Sequence, residues 1–219
     1  MKKTVLTVLL SAIVMTGFAQ QSDEEYRKVI RGRAEKIVAT LEITDKAMQE
    51  FMTELIATQY IDLGVINDAF AAKEKEIKSM SVSKEEKEAL LAAATDNQRA
   101  QLSAKHYYFV SQLDANLTYD QIEKVKDGMT MGVYPITYKA HLDMIPTLKE
   151  EEKAYIRAAL KEAREYAMDC SDSKVKHSWF GKYKGRINNY LSKRGYDLQK
   201  ERDGWNARIK AAQAAQSAQ

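Results

Sequence analysis

Lys182, Arg186, Asn189 and Lys193 follow one another at offsets of four, three and four, which places them on one face of a helix. Tyr183 and Tyr190 border that face. A guanidinium can clamp a carboxylate or sulfate at two points, an amide offers both donor and acceptor, and aromatic rings cover the apolar faces of sugars. The pattern therefore suits an anionic or hydroxyl-rich ligand. A plainer role fits the same spacing, with Trp179, Tyr183, Ile187 and Tyr190 in a core and the cations in solvent. The surrounding block, KVKHSWFGKYKGRINNYLSKRGYD from Lys174 to Asp197, holds no acidic residue between Asp172 and Asp197. Tyr134, Tyr138 and His141, in the segment from Gly128 to Pro146, and His177, inside the block, are the other polar-tipped residues that could reach a ligand.

Other chemistries find less support. His106, His141 and His177 share no metal-ligand spacing, and Cys170 is the single cysteine, so no metal site is expected. A thiolate at Cys170 would need a base, and His177 stands seven positions away without a recognised Cys/His signature. Cys170 is read as a small interior residue, with an exposed thiol as the alternative. Carboxylates are plentiful but sit on helix faces and caps, so none can be singled out as a glycosidase pair. There is no P-loop, dinucleotide fingerprint or GxSxG elbow, so no cofactor is implied and no catalytic residue is assigned.

The elements that must carry these residues are helices. Two prolines and nine glycines in 219 residues, with abundant Ala, Glu, Lys, Leu and Met, favour helix over strand. Ser22/Glu25, Ser83/Glu86, Thr118/Gln121 and Thr147/Glu150 have capping-box spacing, and Thr44 is a further candidate cap. Apolar stripes follow each. The second helix is expected to run to Lys78 with a bend near Gly64. TDNQRAQ, from Thr95 to Gln101, is either a solvated turn or a break in the middle of the third. Gly128 to Pro146 reads as the longest irregular piece, with a turn bracketed by Gly132 and Pro135 and then one or two helical turns lined by Ile136, Leu142 and Ile145 before Pro146, and serves either as a functional loop or as a core-filling connection. Gly195 is placed as the left-handed cap of the basic helix, with Tyr196 packing back. Gly181 and Gly185 weaken that helix by about 1 kcal/mol each, so either a close neighbour or a ligand compensates or the segment is partly loop.

These readings give an all-α, single-domain helical bundle of six or seven helices over residues 20–210, with a disordered tail at 211–219. Residues 1–19 read as a signal peptide: Lys2 and Lys3, an apolar run from Val5 to Met15, then Gly17 and Ala19. That run falls short of the ~20 residues a spanning helix needs. Without the leader, 32 basic residues face 31 acidic, so the formal charge falls from +3 to about +1. With so little net charge and an exported, periplasmic destination, nucleic acid is not an expected partner.

WFGKYKGRINNYLSKRGYDL, DGMTMGVYPITYKAHLDMIPTL and LKEAREYAMD together resemble a family of small exported bacterial proteins of unknown function, sometimes labelled sugar-binding. The likeness spans about Tyr26 to Trp205. It implies an all-helical fold and a link to glycan utilisation, with a saccharide, anionic or neutral, as the partner, and no catalytic residues to carry over. A shorter likeness, at Leu117, Thr118 and Gln121, is to periplasmic helical chaperones with a Leu-Thr-x-x-Gln motif, and implies an interaction protein. An enzyme acting on oligosaccharides is the third alternative.

Overall fold

The computed structural model describes residues 24–217, and all regular structure among them is helical. α1 spans 24–38 and closes in a short 3-10 turn, Ala39–Leu41. There follow α2 (Lys46–Ser79), α3 (Lys84–Asn116), α4 (Tyr119–Met129), α5 (Val133–Met144), α6 (Glu150–Met168), α7 (Ser173–Lys193) and α8 (Leu198–Ser217). The all-α expectation holds, with eight α-helices among the described residues instead of six or seven. The leader at 1–19 and the Ser22 cap lie outside the described residues.

Local chemistry explains the helix ends. Ser83 accepts from Glu86 N at 3.1 Å, and Thr118 and Gln121 form the full reciprocal box. Two caps are displaced from their expected places. Asp45, not Thr44, accepts from Ala47 N at 2.8 Å, as a carboxylate gains from the positive end of the helix dipole. The N-cap of α6 is Lys149, not Thr147; its N–H donates to Glu152 at 2.8 Å, and Leu148 just before it is buried. The Thr95 to Gln101 stretch is neither a turn nor a break but continuous helix within α3. Thr95 donates to Leu91 O at 2.7 Å, and Gln98 reaches Asn67 on α2 at 3.0 Å.

The segment expected to hold one or two helical turns at most contains the longer α5. Met131 and Gly132 take left-handed conformations in succession, with φ of 58° and 65°, and turn the chain out of α4. Pro135 then falls in the first turn of α5, where its missing N–H would have had no intrahelical partner, so it helps to start the helix. α8 likewise runs through the alanines of the expected tail to Ser217.

One core was expected, whereas the chain divides into two compact units at Asn116 and Leu117. In the first, Arg31 of α1 pairs with Glu50 at 2.7 Å and with Glu54, laying α1 along the first half of α2. The Tyr26 hydroxyl comes within 3.2 Å of where a Cβ on Gly64 would sit, so this glycine admits α1. α2 and α3 run antiparallel, tied by Lys105–Asp62 at 2.6 Å as well as by Gln98–Asn67. The second unit is centred on α6, which packs against α4, α5 and α7. Its core joins Ile156, Leu160, Ala163 and Ala167 of α6 to Phe180, Ile187 and Leu191 of α7.

Candidate functional site

α7 is fixed at both ends. Asp172 accepts from Lys174 N at 2.8 Å and Val175 N at 3.1 Å. At the other end Gly195, at φ 94°, donates to Ser192 O at 3.0 Å while Tyr196 N reaches Leu191 O at 3.2 Å, the two bonds of a Schellman closure. Tyr196 then donates its hydroxyl to Glu152 at 2.6 Å, joining the end of α7 to the start of α6. The buried stripe is Phe180, Tyr183, Ile187 and Leu191, rotated slightly from the expected one, so Trp179 and Tyr190 lie half-buried at its flank.

On that flank the rings meet partners from α6 that sequence reading passed over. Tyr190 stacks on Tyr155 with centroids 3.8 Å apart, and Trp179 on Tyr166 at 4.5 Å. Tyr183 lies between them, its hydroxyl donating to Glu162 at 2.6 Å. Burial, then the Glu162 bond, pushes the Tyr183 pKa up to about 12. One sequence signal could have found this seam. Tyr155 and Tyr166 are eleven residues apart, as are Trp179 and Tyr190, so an antiparallel pair can register both stacks together. Eleven residues span about 16 Å of helix.

Outside the rings lie the cations. Lys182 Nζ stands 4.9 Å from the Trp179 ring centroid and the Arg186 guanidinium carbon 4.4 Å from that of Tyr183. Both side chains are exposed, as is Asn189. Among the described residues neither Lys182 nor Arg186 has a carboxylate within 4.0 Å. Gly181 and Gly185 are exposed beside this row, and a Cβ on either would meet nothing within 4 Å. The close packing neighbour expected to compensate for them is therefore absent.

The remaining predicted residues are elsewhere. Tyr134 and Tyr138 stack on each other at 6.2 Å on α5, facing the opposite edge of α6. Arg157 donates to the Tyr138 hydroxyl at 3.1 Å, and Arg164 lies 5.0 Å from the Tyr134 centroid. His141 is buried, with Nδ1 donating to Thr137 O at 2.8 Å, and burial lowers its pKa so that the neutral ring is favoured. His177 is exposed near the start of α7, on the side away from Lys182. The structure thus gathers Lys182, Tyr183, Arg186 and Tyr190 along one seam, with Asn189 beside it, and separates them from Tyr134, Tyr138, His141 and His177.

A second cluster, unseen in the sequence, occupies the α4 edge of α6. Arg164, 1% exposed, donates to Glu123 at 2.6 Å and Asp127 at 2.7 Å, and Lys161 reaches Glu123 at 2.8 Å and the Tyr119 hydroxyl at 2.6 Å. Burial raises the Asp127 pKa despite Arg164. At Glu123 burial acts the same way, but the Arg164 and Lys161 bonds outweigh it and the pKa falls. Both carboxylates are committed to cations, an arrangement that locks α4 on α6 and leaves neither as a free base. The i, i+4 carboxylates Glu123 and Asp127 and the i, i+3 cations Lys161 and Arg164 were the available signal. Lys176, counted in the basic block, instead turns inward and donates to Met129 O at 2.8 Å.

Cys170 is half-buried, its thiol donating to Tyr166 O at 3.4 Å, and burial raises its pKa. Among the described residues no group of three or more His, Cys, Asp or Glu could hold a metal ion, and no helix is long and apolar enough to cross a membrane. A family model described as "Protein of unknown function (DUF3826)" matches residues 27–211, which include every stretch that carried the main family likeness. No curated protein matches the chain.

Proposed function

Because the chain belongs to the DUF3826 family of proteins of unknown function, its role has to be read from its own residues, and we propose that it is an exported carbohydrate-binding protein of glycan utilisation, holding its ligand along the α6/α7 seam without catalysis. The observation that carries this reading is the pair of ring stacks, Tyr155/Tyr190 and Tyr166/Trp179, set about 16 Å apart on one accessible seam. Aromatic rings offer flat apolar surface to the C–H faces of sugars, while Lys182, Arg186 and Asn189 supply donors for hydroxyl and acid oxygens. Export rests on the leader composition of residues 1–19.

Calorimetric titration with neutral and acidic oligosaccharide pools tests the reading, with tryptophan fluorescence as a second readout. Trp179→Ala should weaken binding about tenfold, whereas Trp205→Phe should leave it unchanged. No heat or fluorescence change with any pool would sink the proposal.

A second reading, a chaperone or interaction protein, draws on a different observation. Between α2 and α3 an apolar groove of about 340 Å³ is lined by Ile66, Phe70, Ile77, Leu90 and Ala94. Suppression of aggregation of an unfolded client, lost on Leu90→Glu, would favour it.

A further inference from the structure

Among the described residues, three exposed cations of α7 lack the ion pairs that many cations on other helices make. Elsewhere pairing is frequent: Lys73 with Glu76, Lys78 with Glu74, Arg99 with Asp96, Lys139 with Asp143 and Lys153 with Glu150 are ion-paired on single helices. On α7, Lys182, Arg186 and Lys193 have no carboxylate within 4.0 Å among the described residues. The reason is partly sequence, since α7 contains no acidic residue that could supply an i, i+3 or i, i+4 partner. Among the described residues the neighbouring helix supplies none either: Glu162, the carboxylate of α6 that faces this seam, accepts the Tyr183 hydroxyl and has no cation within 4.0 Å.

The surface around these cations is ordered in a way that bears on a ligand. Going round α7 from its exposed side towards α6, the order is Gly181 and Gly185, then Asn189, then Lys182, Arg186 and Lys193, then Trp179 and Tyr190. Backbone free of side chains, an amide, unpaired cations and rings thus lie side by side. Lys182 and Arg186 are four residues apart, about 6 Å along the axis, and each is placed over a ring. A cation held over a ring keeps its N–H groups free for an incoming acid oxygen.

Resting on the carbohydrate reading above, we infer that the ligand of the α6/α7 seam is an anionic saccharide, whose carboxylate or sulfate groups pair with Lys182 and Arg186 while its rings lie against Trp179 and Tyr190. Gly181 and Gly185 give the chain room to approach the helix backbone. A neutral sugar would leave the two cations without the partner that the fold itself does not provide. A membrane surface or a nucleic acid would use the same charges but would not require the two ring stacks at fixed separation.

The test uses matched pairs of oligosaccharides: uronate-containing ones with their methyl-esterified counterparts, and sulfated ones with their desulfated counterparts. At low salt the charged member of at least one pair should bind about tenfold more tightly or better, and added salt should narrow the gap. The carboxylate and sulfate arms separate the two acid sources. Lys182→Gln and Arg186→Gln should each remove most of that preference, weakening the charged member far more than its neutral counterpart. Both side chains are exposed, so unchanged melting checks that the variants are folded. Arg186→Lys should retain part of the preference.

Equal binding within every pair would overturn the anionic assignment and leave the carbohydrate reading standing. Binding of a single-stranded oligonucleotide or of vesicles containing phosphatidylserine, with no saccharide bound, would overturn both. So would the absence of binding to every probe.

Discussion

The hydroxyl of Tyr196 donates to Glu152 across 2.6 Å, although 44 positions separate them in the chain. Glu152, 2% exposed, also accepts from Lys149 N at 2.8 Å and from Arg194 Nε at 3.2 Å. The Tyr196 bond is the main reason its pKa lies below the ordinary glutamate value of 4.5. A folded-state pKa below the unfolded one contributes stability above about pH 4.5, which is lost as pH falls through the folded value. Tyr196→Phe should therefore cost about 1–2 kcal/mol in urea unfolding near neutrality and progressively less in acid. A cost that stays constant into strong acid would contradict this assignment.

Arg164 is buried against two carboxylates, so removing it strands both. Arg164→Ala should cost about 3–5 kcal/mol, and Arg164→Lys less, as an ammonium keeps the charge but cannot fork between Glu123 and Asp127. Adding Glu123→Gln and Asp127→Asn to Arg164→Met should recover part of the loss. Denaturant midpoints of the series measure the lock, and a loss under about 1 kcal/mol for the alanine variant would show that it does not hold α4.

The glycines in and just after α7 divide into two kinds. Gly195 needs its left-handed conformation, so Gly195→Ala should cost about 1 kcal/mol even though open space surrounds it. Gly181 and Gly185 have helical backbone and open space, so alanine at either should stabilise by about 0.5–1 kcal/mol. If the saccharide approaches the backbone there, the same substitutions weaken its binding while raising the melting temperature. Stabilisation with unaltered affinity would place the ligand closer to the rings.

A double-mutant cycle on Tyr155→Ala and Tyr190→Ala should give a coupling of about 0.5–1.5 kcal/mol, as expected for stacked rings. Additive effects would mean that the stack contributes only buried area.

The elements were legible in the sequence where local chemistry decides them. Ser83, Thr118 and Gly195 fall where capping rules place them because each satisfies backbone groups with its own side chain or conformation. The start and length of α5 were hidden by two glycines and a proline, which read as breakers until Pro135 is seen to occupy the first turn. Along α7 the face of Lys182 and Arg186 follows from spacing alone. The partners of that face do not, because Tyr155, Glu162 and Tyr166 become neighbours only once α6 and α7 adopt one antiparallel register. Arg164 was unreadable for a related reason. An arginine amid glutamates on an amphipathic helix looks solvated, and only the approach of α4 buries it.

α6 is held along both of its edges, by rings on the α7 side and by Arg164 and Lys161 on the α4 side. It cannot roll about its own axis without opening both, so the two edges share one rotational degree of freedom. A ligand that clamps Trp179 and Tyr190 would restrain that roll, and the amides of α4, with no contact to the ligand, would then exchange with deuterium more slowly.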